Sequence, residues 1–203
     1  MLGIVFATPE EALPFVKQQT GGRLDTVEEG QHMELGDVLV LVTGPGKIKA
    51  TLGTERMLQQ HDVDVLLHAG GATALGEGLE DGALVGATFV LEGDRVALDD
   101  PAYPRMPLDA LSGLSLEGTL VSQDHTDDEE LEERSYWERI ADMRDGTGYA
   151  VAYVAAQHGI PCHIVKGITD RVGSDLTSST QRETYDALAA FLGEHGTEYE
   201  TNP

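Results

Sequence analysis

Two apolar runs, each ending in glycines, organise the first third of the chain. Val38 to Val42 runs into Gly44-Pro45-Gly46-Lys47, and Val63 to Leu67 runs into Ala69-Gly70-Gly71-Ala72-Thr73. Lys47 to Gln60 reads as a helix, so the order is strand, turn, helix, strand, turn. A right-handed crossover brings both turns to one edge of a parallel sheet, where α/β proteins bind ligands. Leu2 to Ala7 reads as a further strand. Thr8-Pro9-Glu10-Glu11 then has a helix start's form, with Thr8 as N-cap and proline at the first position. That helix should run to Gly21-Gly22. Ala83 to Glu92, Arg95 to Leu98 and Thr119 to Ser122 read as strands, and 99–115 as an irregular excursion with Pro101, Pro104 and Pro107. Asp127 to Ile140 reads as an acidic helix turning Leu131, Trp137 and Ile140 inward. Tyr149 to His158 is an alanine-rich helix ending at Gly159, and Pro161 to Ile168 a strand stopping at Thr169-Asp170. Thr180 to Leu192 carries Tyr185, Leu188, Ala189 and Leu192 at helical spacing.

These elements predict one domain over 1–195 and a frayed tail over 196–203. The expected class is three-layer α/β/α around a central mixed, mostly parallel twisted sheet.

Composition narrows the partners. A formal net charge of −23 over 203 residues argues against phosphate backbones and anionic membranes. The same excess of acid fits a protein working in concentrated salt, where self-repulsion is screened. No run has the length of a membrane span, and the N-terminus lacks an export pattern, so a cytoplasmic location is expected. The lone Cys162 lies in an apolar run and reads as a small hydrophobe.

Two carboxylates fall where ligand chemistry is expected. Glu11 lies in a first helical turn directly after a strand, and Asp170 follows the strand ending at Ile168. Each also has an ordinary reading: Glu11 offsets a helix dipole, and Asp170 caps a turn. Paired carboxylates can serve as base for a water and acid for a leaving group. His68 ends a buried strand, as either a core or a ligand-facing residue. The other histidines show no metal-ligand spacing, so no metal and no cofactor are expected. Gly44-Pro45-Gly46-Lys47 is not a Walker loop, and neither a dinucleotide fingerprint nor a nucleophile elbow is present.

Taken in order, these segments resemble the nucleoside phosphorylase and nucleosidase superfamily, most closely its 5′-methylthioadenosine/S-adenosylhomocysteine nucleosidases. Gly3 to Glu11 is similar to their N-terminal strand and glutamates. Val42-Thr43-Gly44-Pro45-Gly46-Lys47-Ile48 resembles their Ser-Gly-Ile-Gly-Lys-Val turn. Gly70 to Leu75 stands at their Gly-Ser-Ala-Gly-Gly-Leu loop, and Ser122-Gln123-Asp124-His125-Thr126 at Ser-Gly-Asp-Ala-Phe. Gly148 to Ala152 resembles the helix after Asp-Met-Glu, and Ile168-Thr169-Asp170 stands at Ile-Ser-Asp.

The resemblance implies hydrolysis of the N-glycosidic bond of a purine nucleoside, a 5′-modified adenosine as in methionine salvage. It makes Glu11 the base for water at the anomeric carbon and Asp170 the acid at purine N7. Gly71, Ala72 and Thr73 would line the sugar and water site. Thr126 and Asp127 would meet the purine, with Thr169 beside them. Gly146 and Thr147 fall where the family has the methionine and glutamate of Asp-Met-Glu, the glutamate that grips the ribose hydroxyls. Aligning Asp142-Met143 to the family's Asp-Met instead puts Arg144 there, and Asp145 is a third candidate. The resemblance also implies a homodimer, to which Met33, Met57, Met106, Tyr103 and Trp137 add apolar surface. Three other readings stay open. A phosphorylase needs cations, and none lies between Arg56 and Arg95; a futalosine-type hydrolase and a non-catalytic nucleoside-binding protein are the others.

Overall fold

A computed structural model describes residues 1–94, 105–109, 111–125, 135–172 and 178–195. Among the described residues nine strands form one mixed sheet. β1 (Leu2–Phe6) is central, with β3 (Val38–Val42) and β4 (Val65–Ala74) parallel on either side of it. β2 (His32–Leu35) runs antiparallel on the outer edge of β3. Beyond β4 come β5 (Leu84–Glu92), β6 (Arg105–Pro107), β7 (Glu117–Ser122), β8 (Met143–Asp145) and β9 (Cys162–Arg171). β4 pairs with both β8 and β9, β9 with β5, β5 with β7 and β7 with β8, so these five strands close on themselves.

The alternating pleat of β1 feeds two cores. Leu2, Ile4 and Phe6 pack with α1 (Pro9–Thr20) and α4 (Ser178–His195). Val5 packs on the opposite side with Ala50 and Met57 of α2 (Lys47–Gln60) and Val151 of α3 (Gly148–His158). Each such side chain taken wholly from water contributes about 1.5–3 kcal/mol before entropy is counted.

The glycine segment 69–73 is not a turn: it continues β4, whose register shifts at Ala72/Thr73. β9 likewise runs on through Thr169 and Asp170 because β4 keeps pairing with it. Within 99–115, Arg105–Pro107 forms a strand on β5, and Leu111 is buried. Trp137 is inside as expected, but Ile140 is exposed, since the helical turn ends at 137 and the chain bends back toward Met143. Met57 and Trp137 are core residues, so neither supplies surface for a partner. The Arg95 to Leu98 strand, Tyr103, Leu131 and the 196–203 tail lie outside the described residues, as do Thr126 and Asp127. Among the described residues no helix is long and apolar enough to cross a membrane.

Candidate active site

The site is assembled at the carboxyl ends of β1, β3, β4 and β9. Thr8 caps α1 through a capping box: its hydroxyl accepts the Glu11 N–H, and Glu11 Oε2 accepts the Thr8 N–H at 2.9 Å. The same oxygen accepts the Ala7 N–H at 3.0 Å. Glu11 Oε1 reaches across to β4 and accepts the Gly71 N–H at 2.8 Å. The helix-cap and ligand-site readings of Glu11 are therefore one geometry. Three backbone donors fix a buried carboxylate, and Oε1 keeps a lone pair beyond the one given to Gly71. Gly70 makes this approach possible, since a Cβ there would lie 2.6 Å from Oε1.

A cavity of about 210 Å³ opens over this carboxylate. That is smaller than the roughly 300–1,000 Å³ of a typical small-molecule pocket. Both glycine segments reach it, as the crossover argument requires: Pro45 and Gly46 from one, Gly71, Ala72 and Thr73 from the other. Gly46 begins α2 at φ 92°, a conformation open to glycine, which brings the backbone alongside Asp124. Gly146, Thr147 and Thr169 also line the cavity. Asp170 does not. It sits beside Thr73 at the end of β9, exposed, with Oδ1 accepting the Arg171 N–H at 2.8 Å.

Five lining residues are either absent from the sequence-based candidates or undecided among them: Ala7, Arg144, Asp145, Lys166 and Tyr185. The cations that the glycine loop lacks come instead from β8 and β9. Asp145, Lys166 and His68 form a buried cluster. Lys166 Nζ lies 2.7 Å from Asp145 Oδ2 and 2.8 Å from His68 Nε2. His68 donates through Nδ1 to the Val5 carbonyl at 2.9 Å, which leaves Nε2 as an acceptor. Burial, and then the Lys166 charge, push the His68 pKa down, so the ring stays neutral. Burial alone would raise the Asp145 pKa; the Lys166 ammonium outweighs it and holds the carboxyl far below its usual range. The Tyr185 phenol is pushed up to about 12 by burial and by the Glu11 charge, so it remains a hydrogen-bond donor.

Little in the chain's local pattern signals this cluster. His68, Asp145 and Lys166 are far apart in the chain, and Tyr185 fits the helical stripe of a core residue. Cys162 is half-buried against two of the apolar clusters, and burial pushes its thiol up to about 12.

No family model matches the sequence. Solved structures do. A 5′-methylthioadenosine/S-adenosylhomocysteine nucleosidase from Helicobacter pylori, bound to butyl-thio-DADMe-Immucillin-A, is 22% identical over 97% of both chains, with a TM-score of 0.77. The Campylobacter jejuni 5′-methylthioadenosine/S-adenosyl homocysteine nucleosidase is 18% identical over 97% of this chain and 98% of its own, at 0.78. Futalosine hydrolase of Helicobacter pylori is 20% identical over 97% of both, at 0.79. Over nearly its whole length, this chain has the fold shared by those nucleosidases and that hydrolase.

Proposed function

We propose that the protein hydrolyses the N-glycosidic bond of a purine nucleoside, a 5′-modified adenosine such as 5′-methylthioadenosine or S-adenosylhomocysteine. The observation that carries this reading is Glu11, held by the N–H groups of Ala7, Thr8 and Gly71 at the floor of the cavity. Water bound to Oε1 would add to the anomeric carbon as the bond to purine N9 breaks, and its proton would pass to Glu11. The purine would leave neutral after N7 is protonated by Asp170. The bond breaks through an oxocarbenium-like state, so a held water and a protonated leaving group supply most of the acceleration. Gly71, Ala72, Thr73, Gly146, Thr147 and Thr169 would surround the sugar, and Thr126 and Asp127 the base. Release of free adenine from 5′-methylthioadenosine in phosphate-free buffer tests the reading.

A second reading, phosphorolysis, draws support from Arg144 and Lys166, since cations favour a bound phosphate. Strict dependence of base release on phosphate would select it. The futalosine-type alternative draws on the likeness to futalosine hydrolase. A layered α/β/α domain is supported by the two packed faces of β1, and a mostly parallel sheet by the parallel pairs of β4 with β1 and β9 and of β7 with β5 and β8. A homodimer is supported by Ile48 and Leu52, one turn apart on α2, and by Tyr153 on α3, all exposed apolar side chains.

A further inference from the structure

The resemblance leads one to look for a carboxylate that grips the sugar hydroxyls, and Asp145 is the carboxylate nearest to that place. It is already occupied. Oδ1 accepts from Ser122 Oγ at 2.6 Å and the Gly148 N–H at 3.1 Å. Oδ2 accepts from Lys166 at 2.7 Å, from Gly148 N–H at 2.9 Å and from Thr147 Oγ1 at 3.3 Å. A carboxylate offers about four lone-pair directions, so nothing remains for a ligand.

Lys166 is in the opposite position. Its side chain is 1% exposed, yet it lines the cavity. An ammonium carries three N–H donors. Two are taken by Asp145 Oδ2 and His68 Nε2, and no further acceptor for the third lies among the described residues. A buried donor left unmatched costs free energy that a ligand can recover. Thr147 Oγ1 stands beside it, 3.1 Å from the same His68 Nε2, and also lines the cavity. Its proton goes to Asp145 Oδ2, since the one lone pair of His68 Nε2 is taken by Lys166, and its lone pairs remain to accept a hydroxyl proton.

Building on the nucleosidase reading, we propose that Lys166 is a substrate-binding residue. Its third N–H donates to one sugar hydroxyl while Thr147 Oγ1 accepts from the neighbouring one. A ribonucleoside's cis-diol offers one acceptor and one donor side by side, which is what this pair requires. Asp145 and His68 act through Lys166: they hold the ammonium in place and keep it from being a lone buried charge.

The test is calorimetric binding of carbocyclic adenosine, whose base cannot leave through an oxocarbenium ion, against its 2′,3′-dideoxy counterpart. A hydrogen bond to a charged donor corresponds to about 10- to 150-fold in affinity, so wild type should prefer the diol by that factor. The paired variant Lys166→Met/Asp145→Asn removes the donor without stranding a buried charge and should bring the ratio to about 3 or below. Thr147→Val should reduce the preference in part, and Thr147→Ser should restore it. Equal binding of the two analogues by wild type overturns the assignment of Lys166 and leaves the nucleosidase reading standing. Failure of both analogues to bind overturns the nucleosidase reading, and this inference with it.

Discussion

Replacing Glu11 by glutamine separates a positioned base from a charge that merely offsets a helix dipole. The carboxylate accepts three N–H bonds, two on Oε2 and one on Oε1. A glutamine has one oxygen. Pointed at Ala7 and Thr8, it turns its NH2 group onto the Gly71 N–H, donor against donor. One charge-assisted bond is lost, at about 1.5–3 kcal/mol. In a chain of this size that lowers the melting temperature by about 3–12 °C. The amide also cannot take a proton from water, so adenine release should fall by about 10²–10⁴-fold. Glu11→Asp serves as the comparison: it keeps a charge in the first helical turn but is too short to bridge the cap and Gly71. Both variants should therefore lose activity. Melting by calorimetry and adenine release by chromatography read the two effects. Full activity in Glu11→Gln, or a Glu11→Asp protein indistinguishable from wild type, would refute the reasoning and leave Glu11 as a helix-terminus charge.

Asp170→Asn should lower adenine release by at least about 10²-fold with an unchanged melting temperature, because asparagine can still accept the Arg171 N–H; unaltered turnover would remove Asp170 from the reaction. Gly70→Ala places a methyl 2.6 Å from Glu11 Oε1 and should cost about 1–3 kcal/mol and most of the activity, whereas a stable, active variant would show that the carboxylate position is not critical. His68 has a lowered folded pKa, so its contribution is present above the unfolded value near 6.5 and is lost as pH falls below it, at up to about 1.4 kcal/mol per pH unit; stability that stays flat from pH 6.5 to 5.5 would contradict the neutral, buried ring. With a net charge of −23, the melting temperature should rise with KCl, and light scattering in about 1 M salt should show a dimer; a monomer at every salt concentration would remove the homodimer.

What was legible in the sequence follows from what short-range pattern can encode. Thr8-Pro9-Glu10-Glu11 states its capping box outright, and α2 spans the predicted residues, because caps and helical periodicity are local. The glycine segment of β4 departs from its sequence pattern for a physical reason. Glycines usually mark a turn, but here the missing Cβ of Gly70 makes room for Glu11 while the strand continues. β8 has three residues, too few for a period of two to show, yet it delivers Arg144 and Asp145 to the cavity. Lys166 looks like a lone polar interruption in an apolar strand. Its partners come from β4 and β8, so only the closed pairing of the sheet reveals the cluster.

The most direct test is purified protein incubated with 5′-methylthioadenosine or S-adenosylhomocysteine in phosphate-free buffer, with the products separated and the freed base quantified. Stoichiometric adenine and the free reducing sugar are expected without phosphate, and neither with Glu11→Gln. Intact nucleoside after prolonged incubation of a folded, nucleoside-binding protein, or adenine that appears only when phosphate is added, would contradict hydrolysis at this site.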